Sequence, residues 1–130
     1  MNIALVEPLI LNVSEKTNWF FIRVTARNGL SGLGEASLNG WESAQLAVAE
    51  NLCAALRGKN LDDALRLLRV YPHSPGGLVA SSVISATEQA VTDLRAKLAG
   101  IPVHVLLDGK TRARKAVRVF QPSSSSFKSL

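Results

Sequence analysis

The sequence predicts an α+β domain: a three-stranded antiparallel meander, then three helices, plus one isolated C-terminal strand. Three observations carry this. Apolar and β-branched residues dominate the first 38 residues, alternating most clearly over 19–27. From Trp41 the apolar spacing changes to three and four residues. The two kinds of segment do not interleave, which argues for helices packed on one face of a sheet rather than for parallel βαβ units.

Each element has its own signal. "IALVEPLILNV" (3–13) is a strand, and Pro8 restricts it to a sheet edge or a bulge. "SEKTN" is a polar turn. "WFFIRVTAR" (19–27) is the clearest strand, with Phe20, Ile22 and Val24 alternating against Phe21, Arg23 and Thr25. "NGLSG" marks a hairpin, because Asn-Gly accepts the positive φ of a tight turn. "LGEASL" (33–38) completes the meander. Gln45, Val48, Ala49, Leu52, Cys53 and Leu56 then form a helical stripe ended at Arg57-Gly58. Asn60 caps a second helix, with Asp63 three residues later as in a capping box. Its stripe is Leu61, Ala64, Leu65 and Leu68, and Tyr71-Pro72 ends it. "HSPGGLV" is a loop. A third helix spans 81–99, with Val83, Thr87, Ala90, Val91, Leu94 and Leu98 inward. Asp93 and Lys97 make a favourable i,i+4 pair. Gly100 is placed as a C′ residue, and Pro102 prevents continuation. "KAVRVF" (115–120) is the isolated strand, and "QPSSSSFKSL" has the composition of a disordered tail.

Composition bounds the function. A chain of 130 residues suits one domain; 47% hydrophobic and 19% charged residues are the balance of a soluble globular protein. Cys53 is the sole cysteine, which excludes an intramolecular disulfide and multi-thiol zinc sites and suits a reducing cytoplasm. No basic n-region precedes the apolar start, and no apolar run approaches the ~20 residues of a membrane span. The expected localisation is cytoplasmic, with no membrane partner. The net charge of +5 is unevenly placed: residues 1–109 hold nine Lys/Arg and ten Asp/Glu, while 110–130 hold six Lys/Arg and no acid. A neutral body with a basic tail argues against nucleic-acid binding, which puts its basic patch on the folded domain.

No catalytic or metal-ligating constellation is present. His73 and His104 lack the ligand spacing of a metal site. Asp62 and Asp63 are adjacent and cannot face one another on a helix, so they complement its dipole instead. Ser123–Ser126 has no neighbouring base. Gly29, Gly32 and Gly34 lie between strands, where a hairpin fits better than a phosphate loop. Glu35 reads as a structural strand carboxylate.

"GLSGLGEAS" (29–37) and "ATEQAVTDLRAKLAGIPVHVLLDG" (86–109) together resemble the N-terminal capping domain of the enolase superfamily, in its mandelate racemase and muconate-lactonizing branch. Ala86, Ala90, Asp93, Lys97, Gly100, Pro102, Leu106, Leu107 and Gly109 match that family's late-helix motif in order. Leu33, Thr92, Ala96 and Asp108 depart from its commoner residues. The resemblance implies a capping domain over 1–109, followed at 110–130 by a basic linker, a remnant of a first barrel strand and the Ser-rich tail. It implies a parent enzyme that abstracts a proton α to a carboxylate with Mg²⁺: a sugar-acid dehydratase, racemase or cycloisomerase. The metal and base belong to a barrel without counterpart in these residues, so this chain alone is expected to bind no cofactor and to be inactive. In the family, two cap loops fold over the barrel mouth and contact substrate. They map onto Ser14–Trp19, with Lys16, Asn18 and Trp19 as candidates, and onto Leu38–Trp41, with Asn39 and Trp41. The structural alternatives are that Trp19 opens a strand and packs in the core, and that Trp41 caps a helix. The other readings are a free-standing interaction or dimerisation module, and a truncated gene product.

Overall fold

The computed structural model describes residues 1–71 and 77–108. Within them the order is β1 (Ile3–Ser14), β2 (Thr17–Ala26), β3 (Ser31–Glu35), α1 (Glu42–Leu56), α2 (Leu61–Val70), α3 (Gly77–Ala99) and α4 (Val103–Asp108). The strands form one antiparallel sheet in the order β1-β2-β3. The α+β meander predicted from the sequence is present. His73, Gly109, the strand at 115–120 and the Ser-rich tail lie outside the described residues.

Several boundaries differ from expectation. β2 starts at Thr17 rather than Trp19, and β3 spans Ser31–Glu35 rather than 33–38, its pairing with β2 running only from Ser31 to Glu35. α3 begins at Gly77 rather than Ser81, because the apolar stripe reaches back to the buried Ala80. The apolar run after Pro102, to which the sequence assigned no element, is a helix, α4. Pro102 has no N–H to lose at a helix start, and its carbonyl accepts from Val105 N (3.1 Å) and Leu106 N (3.2 Å).

Pro8 sits comfortably in β1 for a geometric reason. The carbonyl of Phe20 accepts from Ala36 N at 2.8 Å, so Phe20, Ile22 and Val24 direct their backbone groups toward β3. Pro8 pairs with Ile22 and therefore faces away from β2, where a missing N–H breaks no ladder bond. The same alternation of side chains buries Phe20, Ile22, Val24 and Ala26 against the helices. Leu52 and Leu56 of α1, Leu68 of α2, and Val83, Val91 and Leu94 of α3 complete the core.

The helix ends follow from local chemistry. Asn60 Oδ1 accepts from Asp63 N at 2.8 Å, and Asn60 Nδ2 donates to Asp63 Oδ2 at 2.8 Å, so the expected cap of α2 is present. At the end of α3, Gly100 N donates to Lys97 O (3.1 Å) and Ile101 N to Ala96 O (3.0 Å). Those two bonds form a Schellman closure, which needs the positive φ of 70° at Gly100.

The tightest contact joins β3 to α3. A Cβ on Gly34 would stand 1.9 Å from Ala86 O, and one on Gly32 would stand 2.0 Å from Ala90 O. Side chains of α3 also close the outer edge of β3. Leu33 N donates to Asp93 Oδ2 (3.0 Å), Glu35 N donates to Gln89 Oε1 (3.3 Å), and Lys97 Nζ donates to Ser31 O (2.8 Å). The Asp93–Lys97 pair (3.0 Å) is thus both an intrahelical ion pair and a clamp on the strand.

Candidate functional site

The β1–β2 hairpin is tighter than the sequence suggested. Only Glu15 and Lys16 form its turn; Asn18 and Trp19 already belong to β2. Lys16 is exposed at the tip, its backbone N–H donating to Ser14 Oγ at 3.3 Å. The segment after β3, residues 36–41, is held from several sides. Gln45 of α1 is fully buried, and its Nε2 donates to Ala36 O and, at 3.0 Å, to Ser82 Oγ. Phe20 N donates to Ser37 Oγ (3.0 Å), and Ser37 Oγ in turn donates to Glu35 Oε2 (2.5 Å). Glu35 therefore supports this segment, the structural role expected of it.

These restraints bring the two sequence-predicted loops together. Asn18 N donates to Asn39 Oδ1 at 3.2 Å, and Asn18 Nδ2 donates to Glu42 Oε1 at 3.4 Å. Asn12 Nδ2 donates to Asn18 Oδ1 at 2.8 Å and to Ser14 O at 3.0 Å. The result is a polar cluster of three carboxamides and a carboxylate at one end of the sheet. Trp19 is 42% exposed and meets Phe21 edge-on at 6.3 Å, so it is not a core residue. Trp41 is 57% exposed and stands at the N-cap of α1 without a side-chain cap bond. Both tryptophans can therefore offer a flat face to a ligand.

Asn12 and Glu42 were not among the sequence candidates. Asn12 pairs with Asn18 across the hairpin, a signal available once the register is known. Glu42 opens α1, where an acid suits the helix dipole and gives no hint of a second partner.

Among the described residues, no three His, Cys, Asp or Glu side chains gather into a group that could hold a metal ion. The described residues therefore do not offer the oxygen-ligand set that Mg²⁺ requires. None of the described helices is long and apolar enough to cross a membrane. Cys53 is half-buried between α1 and β1, and burial pushes its thiol up to about 11, only partly offset by Arg57. Alkylation of Cys53 by iodoacetamide is therefore expected to be slow at pH 7.5 and to accelerate up to about pH 11. A fast, pH-independent reaction measured by mass spectrometry would contradict this environment.

A meander backed by helices, with a late helix locked onto a Gly-x-Gly-Glu strand, defines the class as an enolase-type N-terminal domain. The chain belongs to the mandelate racemase / muconate lactonizing enzyme family, whose N-terminal domain model it matches over residues 6–108. A D-galactonate dehydratase family member of Pseudarthrobacter chlorophenolicus is 34% identical over 103 residues, covering 76% of this chain and 25% of that relative. A D-mannonate dehydratase of Caulobacter sp. is 27% identical over 114 residues, covering 85% of this chain and 28% of the relative. Among solved structures, an enolase from Agrobacterium radiobacter bound to Na and L-malate superposes with a TM-score of 0.74 at 28% identity, covering 86% of this chain and 29% of that one. A mandelate racemase/muconate lactonizing protein from Paracoccus denitrificans complexed with magnesium gives 0.70 at 30% identity, covering 87% and 32%. This chain thus spans about a quarter to a third of the length of these relatives.

Proposed function

We propose that this domain is the specificity cap of a Mg²⁺-dependent sugar-acid dehydratase, and that the cluster around Asn18 meets the substrate end remote from the reacting carbon. The observation that carries the reading is the Asn18–Asn39 hydrogen bond, which joins the two loops at one end of the sheet. Carboxamides donate and accept, which suits the hydroxyls of a polyol chain. Lys16 supplies a cation at the rim for a negatively charged substrate. A D-galactonate dehydratase family member and a D-mannonate dehydratase among the relatives support this substrate class. Closing such a cap excludes water and strengthens the electrostatics of the site beneath it.

The isolated chain is expected to turn over none of a panel of aldonic and aldaric acids in the presence of Mg²⁺. Grafting it in place of the N-terminal domain of a D-mannonate dehydratase tests the capping role directly. The chimera should change the enzyme's ranking of aldonic acids, and Asn39→Ala within it should lower kcat/KM by about tenfold, the effect of one lost substrate-binding hydrogen bond. Turnover by the isolated chain, or a folded chimera whose ranking ignores both the graft and Asn39→Ala, would sink the reading.

A further inference from the structure

The sequence holds two Asn-Gly steps, Asn28–Gly29 and Asn39–Gly40. Asparagine before glycine readily loses its side-chain amide, because a following residue without Cβ leaves its backbone nitrogen open to approach the carboxamide carbon. Both steps lie in exposed turns. Both glycines have positive φ, 90° at Gly29 and 88° at Gly40, with open space where a Cβ would stand. As dipeptides they are equal. The fold makes them unequal.

At the first step the attacking nitrogen is tied down. Gly29 N donates to Ala26 O (3.0 Å), Ala26 N donates to Leu30 O (2.9 Å), and Leu30 N donates to Asn28 Oδ1 (3.1 Å). At the second step Trp41 N donates to Leu38 O (3.1 Å) and closes the turn, but among the described residues Gly40 N–H has no acceptor. Asn39 Oδ1 accepts from Asn18 N at 3.2 Å, a donor that supports negative charge on this oxygen as the carbon becomes tetrahedral. Leu30 N does the same for Asn28, so polarisation does not separate the two steps. The freedom of the glycine nitrogen does.

We propose that Asn39 deamidates in the folded domain, through a cyclic imide with Gly40, and does so faster than Asn28. Gly40 N, its proton lost to hydroxide, bonds to Asn39 Cγ. The Cγ–Nδ2 bond breaks, and Nδ2 leaves as ammonia with a proton taken from water, which restores the hydroxide. Water then opens the imide. Cleavage between Cγ and Gly40 N gives aspartate. Cleavage between the Asn39 carbonyl carbon and Gly40 N gives isoaspartate, which lengthens the main chain by a methylene. Either product sets a carboxylate beside Asn18, whose Nδ2 also donates to Glu42 Oε1 at 3.4 Å. On the capping reading this added charge repels a carboxylate substrate; the modification itself stands without that reading.

Incubation of the full chain in heavy-oxygen water, followed by digestion in ordinary water and peptide mass spectrometry, tests the proposal. Label enters a carboxyl only where the imide opens during the incubation. In the folded chain Asn39 should take up label at least about fivefold faster than Asn28, the factor for one hydrogen bond held by the nucleophile, with a rate that rises with pH. In urea both turns are lost, and the two rates should agree within about twofold. Equal rates in the folded chain, or a faster Asn28, overturn the proposal. A ratio that persists in urea overturns it too, since the preference would then belong to the neighbouring residues and not to the fold. No substrate enters this assay, so its failure and the failure of the capping reading are separate results.

Discussion

Gly34→Ala is expected to destabilise the domain by about 3 kcal/mol or more, a large share of the stability of a domain this size. The new Cβ would meet Ala86 O at 1.9 Å and Ala86 C at 2.8 Å, both backbone atoms of α3. A rotamer change cannot relieve that clash; the helix itself must move away from the sheet. Gly32→Ala should behave alike, meeting Ala90 O at 2.0 Å and Leu94 N at 2.6 Å. Leu33→Ala, between them but on the outer face, should change stability by under about 1 kcal/mol. Urea unfolding of the three variants checks this. Equal midpoints for Gly34→Ala and the parent would mean that α3 does not lie where its contacts place it.

Asp93→Ala should lower stability by about 2 kcal/mol, through the β3 edge rather than through the helix alone. An intrahelical Asp–Lys pair by itself contributes only about 0.3–0.5 kcal/mol. The larger loss arises because Asp93 Oδ2 also accepts from Leu33 N, and because Lys97, which donates to Ser31 O, loses its counter-charge. Asp93→Asn keeps an acceptor for Leu33 N and should lose less. A double-mutant cycle with Lys97→Met isolates the coupling. If Asp93→Ala costs no more than an exposed ion pair, the clamp on β3 contributes nothing.

These two expectations mark where sequence reasoning stops. Strand and helix identities were readable from periodicity, and the cap at Asn60 and the stop at Gly100 from single residues. The purpose of Gly32 and Gly34 was not. Taken as turn glycines, they are instead the strand's half of a close backbone contact. Ala86 and Ala90, four apart on the helix, are the other half. Small residues at period two and at period four signal such an approach only when the two elements are known to meet. The Asp93–Lys97 pair was visible as helical spacing, but its bonds to Leu33 and Ser31 bridge some sixty residues. Helix α4 was missed because six residues are too few to show a period. At the candidate site, Lys16, Asn18, Trp19, Asn39 and Trp41 came from resemblance to the family. Of these, Asn18 and Asn39 meet, through the register and through Gln45, whose buried amide fixes the segment after β3. Asn12 and Glu42 join the cluster only through those long-range contacts.

A meander has two edges, and an unguarded edge recruits strands from other molecules and seeds aggregation. Here the β3 edge is occupied by Asp93, Gln89 and Lys97 of α3. On the β1 edge, Ile3 is engaged with Lys59 and Gly58, and Pro8 removes an outward-facing donor midway along. Growth of this sheet by end-to-end strand addition is thereby blocked on one side and interrupted on the other. Both edges are thus poor templates for the strand pairing that seeds β-fibrils.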